Sequence, residues 1–169
     1  MITISASPWQ IGGTPGPKEA ATLKPETAAK LIQVAKRPLL VAGSLTLETK
    51  VGDGTLIDFV IELGKLGIPV VATTPALKGF LKSEFNPSAF MGLSDLINRL
   101  TDPTWSLDDN GAHDLVIFLG IRYSILSQML STLKNFTQNP RTMSLNGFFQ
   151  PNADWSFPNM KEEEWEEKM

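Results

Sequence analysis

Residues 37–54 read RPLLVAGSLTLETKVGDG: an apolar run opened by proline, then a polar loop carrying serine, threonine and glycine. An apolar run without alternation fits a strand buried on both faces, the condition of a parallel sheet covered by helices. Gly43 and Ser44 then stand where that strand ends. Working outward, the same design recurs twice. Residues 68–74, IPVVATT, are β-branched and give way to TPALKGF; residues 114–120, DLVIFLG, have an acidic start, five apolar residues and a glycine exit. RTMSL, residues 141–145, reads as a fourth strand.

Between these runs the apolar spacing is helical. Pro25 suits a first helical position and Glu26 the positive helix end, while Ala28, Leu31, Ile32 and Ala35 share one face, so a helix is expected to about residue 36. Leu56, Phe59, Val60, Leu63 and Leu66 give a second helix, residues 93–100 a short one, and Ile125, Met129, Leu130 and Leu133 another. Alternation of strand and helix predicts an open, mainly parallel, twisted α/β sheet with helices on both faces, Rossmann-like in kind. Residues 1–24, rich in Gly, Pro, Ser and Thr, are expected to be an extended arm, and residues 25–169 a single domain. The last nine residues, KEEEWEEKM, read as a solvated amphipathic helix.

Composition closes several routes. The chain has no Cys and one His, His113, so a tetrahedral Cys/His zinc site, a thiolate cluster and a Cys–His pair are excluded. A net charge of −3 gives no basic footprint for nucleic acid. No apolar run reaches the roughly 18 residues of a membrane span, and the first residues lack the pattern of a secretory signal; a cytoplasmic protein is expected. His113 begins a strand, on the edge opposite to a ligand crevice, and is read as a surface or capping residue.

In open α/β sheets ligands sit beyond the carboxyl ends of the strands, where the winding reverses. Three loops lie there: Gly43-Ser44, Thr73-Thr74 with Lys78-Gly79 behind, and Gly120 with Arg122. Glycines allow close backbone approach, hydroxyls and helix amides bind phosphate oxygens, and Lys78 or Arg122 adds charge. These eight residues are the candidate nucleotide-binding set. Neither GxGxxG nor GxxxxGK[ST] is present. Trp9, Trp105, Trp155 and Trp165 all fall in segments read as arm, loop or terminus, where aromatics serve either local core or a protein interface.

The order of AAKLIQVAKRPLLVAGS, LGKLGIPVVATTPALKGFL, LTDPTWSLDDNGAHDLVIFLG and LKNF resembles the epsilon subunits of archaeal acetyl-CoA decarbonylase/synthase complexes, from about Ala28 to Asn159. The sheet segments alone are also similar to the central domain of thiamine-diphosphate enzymes. The resemblance implies a non-catalytic partner of the nickel–iron–sulfur alpha subunit of the complex's carbon monoxide dehydrogenase component. In that family the two form an alpha2-epsilon2 assembly, and the epsilon chain is expected to stabilise alpha and to aid electron transfer to FAD. The other reading is an independent FAD- or nucleotide-binding electron-transfer module. Isolated, the chain is also a candidate homo-oligomer.

Overall fold

The computed structural model describes residues 19–169. Seven strands form one parallel sheet: β1 (Ala21–Thr22), β2 (Pro38–Ala42), β5 (Val70–Thr73), β6 (Ala89–Met91), β7 (Leu115–Leu119), β8 (Arg141–Ser144) and β9 (Trp155–Ser156). Their order is β1-β9-β8-β7-β2-β5-β6, and every neighbouring pair is parallel. A separate hairpin joins β3 (Lys50–Val51) to β4 (Gly54–Thr55). The helices are α1 (Pro25–Val34), α2 (Leu56–Lys65), α3 (Leu77–Phe80), α4 (Leu93–Leu100), α5 (Tyr123–Phe136) and α6 (Glu162–Lys168).

The unalternating apolar runs work as expected, because successive side chains of one strand enter two different cores. Leu40 and Ala42 of β2, Ile117 and Leu119 of β7, and Val70 and Ala72 of β5 pack with α1 and α2. Leu39, Val41, Val116, Phe118 and Val71 pack instead with α4 and α5. Each large aliphatic so buried contributes about 1.5–3 kcal/mol relative to exposure. Helices therefore cover both faces.

Three strands of the sheet are additional to the four expected. β6 lies inside residues 83–113, expected to be irregular, and β9 lies in a segment for which no element is expected. β1 occupies the last part of the expected arm: Ala21 pairs with Trp155 and Thr22 with Ser156, and Leu23 is buried in the core. Residues 1–18, with Trp9, lie outside the described residues. Trp155 belongs to a strand and Trp165 to a helix, both packed in one core, and Trp105 packs on the other. Trp165 is a buried core residue, while Trp105 and Trp155 are half-buried against the cores. Among the described residues no helix is long and apolar enough to cross a membrane.

Candidate functional site

From β2 the chain winds outward to β5 and β6, then returns to β7 on β2's other side. The reversal places the carboxyl ends of β2 and β7 side by side, the position where an open α/β sheet leaves a crevice. Here the two ends are laced together. Gly43 N–H donates to Leu119 O at 2.9 Å, Leu45 N–H to Gly120 O at 2.9 Å, and Thr46 Oγ1–H to Gly43 O at 2.7 Å. Gly120 N–H donates to Asn146 Oδ1 at 2.8 Å.

Glycine is required by this lacing. A Cβ on Gly43 would stand 2.2 Å from Gly120 O, and one on Gly120 would stand 2.4 Å from Thr46 Cγ2. Gly79 meets only the ends of side chains: its added Cβ would stand 2.2 Å from Leu47 Cδ2 and 2.3 Å from Ile57 Cδ1. At Gly43 and Gly120 the space a side chain would take is occupied by backbone and side-chain atoms of the chain itself.

Side chains around the lacing do leave space. A cavity of about 680 Å³ is lined by Gly43, Ser44, Thr73, Lys78 and Arg122, with Glu48 and the apolar Leu47, Leu93, Ile121 and Ile125. Five of the eight sequence-derived residues thus meet at one place. Thr74 is exposed and Gly79 packed, both outside it, and Gly120 lines a second cavity. Lys78 and Arg122 with the hydroxyls of Ser44 and Thr73 fit an anionic group such as a phosphate. The amino end of α5 adds to this: its N-cap residue Arg122 makes no side-chain capping hydrogen bond, and no acid lies in its first turn. Glu48 on the same wall opposes an anion.

The second cavity, about 390 Å³, lies at the ends of β7 and β8 beneath α6. Arg122 and Ile121 line both cavities. Its other walls include Leu45, Leu56, Asn146, Phe148, Gln150, Met160, Glu162 and Trp165. Gln150 is 0% exposed; its Nε2 donates to Tyr123 O at 3.3 Å, while its Oε1 has no hydrogen-bond partner among the described residues. Trp165 closes one side, donating Nε1–H to Leu145 O at 2.8 Å. Sequence reasoning missed this cavity. The available signal was Asn146-Gly147, a turn pair directly after the fourth strand and so a fourth carboxyl-end loop.

On the opposite edge His113 is 3% exposed, not a surface residue. Its Nε2 accepts Leu107 N–H at 3.4 Å, which leaves the proton on Nδ1, 3.2 Å from Arg37 O. Burial holds its pKa below the usual imidazole value. Arg37 also pairs with Asp108, whose pKa is lowered to about 2 by the Asn110 amide and then by Arg37. The Asp114 carboxylate accepts Lys36 N–H at 2.8 Å and Arg37 N–H at 2.9 Å. This network anchors the loop before β7. Among the described residues, no group of three or more His, Cys, Asp or Glu is arranged to hold a metal ion.

A family described as CO dehydrogenase beta subunit/acetyl-CoA synthase epsilon subunit matches residues 3–169. A Methanothrix soehngenii protein, acetyl-CoA decarbonylase/synthase complex subunit epsilon, is 40% identical over 160 residues, 94% of this chain and 83% of that protein. Its namesake from Methanothermobacter thermautotrophicus is 39% identical over 159 residues, 94% of this chain and 89% of its own length. Subunit epsilon 1 from Archaeoglobus fulgidus is 37% identical over 145 residues, 85% of this chain and 76% of its own. With an open parallel α/β fold and a match over nearly its whole length, the chain belongs to the CO dehydrogenase beta subunit/acetyl-CoA synthase epsilon subunit family.

Proposed function

We propose that the chain is an accessory subunit of an acetyl-CoA decarbonylase/synthase complex, which associates with the nickel–iron–sulfur alpha subunit of the carbon monoxide dehydrogenase component and stabilises it. The observation that carries this is the family match across residues 3–169, together with relatives whose names are those of complex subunits. Composition supports the division of labour: iron–sulfur clusters are held by thiolates, and this chain contains no Cys. The assembly is alpha2-epsilon2 and cytoplasmic. The test is the heat inactivation of CO oxidation by the alpha subunit, with and without a stoichiometric amount of this chain. Slower inactivation is expected when the chain is present; an unchanged half-life removes the stabilising role.

A second reading rests on the cation-lined cavity. FAD, if held there, would be bound through Lys78 and Arg122 with Ser44 and Thr73 at a phosphate, beside Gly43 on the same wall. Thr74 lies beside that wall on the exposed loop. Bound flavin would supply an electron acceptor, and these residues would orient it. Calorimetry with FAD should show binding that Arg122→Glu or Lys78→Glu weakens at least tenfold, about 1.4 kcal/mol. Equal affinity in all three proteins contradicts this reading.

A further inference from the structure

The cavity beneath α6 combines three features that a phosphate site lacks. Its wall contains a buried acceptor, Gln150 Oε1, that has no donor among the described residues. Two aromatic residues on it are strongly exposed, Phe148 at 64% and Tyr123 at 47%. Its roof is the acidic terminus, where residues 161–169 carry five Glu against two Lys and Glu162 itself lines the cavity. An unmet acceptor costs free energy until a donor reaches it, and a carboxylate on the rim favours a donor that is positively charged. Exposed rings beside a pocket are the setting in which protein interfaces bury their anchors.

We infer that the surface formed by this cavity, Phe148 and α6 is the face that receives the partner subunit proposed above, and that the partner inserts an arginine side chain into it. An arginine meets all three features together. Its planar guanidinium stacks on aromatic faces, and its five N–H donors suit a site whose wall offers an amide oxygen, that of Gln150, and a carboxylate, that of Glu162. Lysine, a compact and strongly hydrated charge, would use the rings less well. Acid spread along α6 then guides a basic partner surface toward the cavity. Arg122, on the same cavity, opposes a second cation.

This inference rests on the accessory-subunit reading, and its test separates the two. The full-length chain and its variants are titrated with the purified alpha subunit, and affinity is measured at several salt concentrations. Phe148→Ala, a change at an exposed ring, is expected to weaken binding about tenfold or more. Glu162→Lys should do the same, Gln150→Met should weaken it while leaving thermal unfolding cooperative, and wild-type affinity should fall as salt rises. Arg122→Glu discriminates most sharply: it should tighten binding of alpha, whereas a phosphate-bearing occupant of the same cavity would bind Arg122→Glu more weakly. Alpha binding that is indifferent to Phe148→Ala and Glu162→Lys, or weakened by Arg122→Glu, overturns this face while leaving the accessory role intact. No binding of alpha to the wild-type chain overturns both.

Discussion

Gly120 turns with a φ of 66° directly behind Leu119, and its missing side chain is what lets Thr46 approach. Gly120→Ala would combine the left-handed backbone with a Cβ 2.8 Å from Thr46 N, so a destabilisation of about 1–3 kcal/mol is expected in urea unfolding. His113 offers a second check through pH. Its folded pKa is lowered by burial, so the folded state binds a proton less readily than the unfolded chain. The stability it contributes is complete above the unfolded value near 6.5 and is lost as pH falls through that value toward the lower folded one, by at most about 1.4 kcal/mol per pH unit. Arg37, Asp108 and Asp114 are the charged groups around it. Urea midpoints between pH 7.5 and 5.5 should fall for the wild-type chain and stay flatter for His113→Gln. The position of the strand-end residues was legible, because strand ends in such sheets follow one rule; the lacing was not. Asn146 reaches Gly120 across 26 positions, and no local pattern records that.

Elements were readable in proportion to the apolar surface they bury. β2, β5, β7 and β8 announce themselves as runs bounded by turns, and residues 93–100 fold as the short helix expected. β1 and β9 are two residues each and β6 is three, too short for any periodicity, and they exist because neighbouring strands offer their edges. α2 owes its start to Asp58, whose Oδ2 accepts Thr55 N–H at 2.8 Å and Thr55 Oγ1–H at 2.9 Å. Asp58→Ala should cost about 1 kcal/mol, a fall of about 2–4 °C in melting temperature by calorimetry. α6 was expected to be a solvated helix, and its glutamates are indeed outward, yet Trp165 fastens it: the ring is buried against Gly147 and hydrogen-bonded to Leu145 O. Trp165→Ala should destabilise by about 3–5 kcal/mol and release α6, seen as faster amide exchange in residues 161–169.

The molecule as a whole presents one edge with two cavities joined at Arg122, and an opposite edge locked by Arg37, Asp108, Asp114 and His113. The amino edge holds loops in place through this network, and the carboxyl edge carries Lys78, Arg122, the Gln150 acceptor and the exposed Phe148 and Tyr123. Fold and family could be read from the sequence because both depend on contiguous segments. The face proposed for a partner could not, because it is assembled from the ends of β7 and β8 and from α6. The accessory role itself is tested most directly by native mass spectrometry of this chain co-expressed with the nickel–iron–sulfur alpha subunit. A single complex containing the two chains in equal numbers, at the mass of two of each, is the predicted result. Two separate species, with this chain never found on alpha, would contradict it.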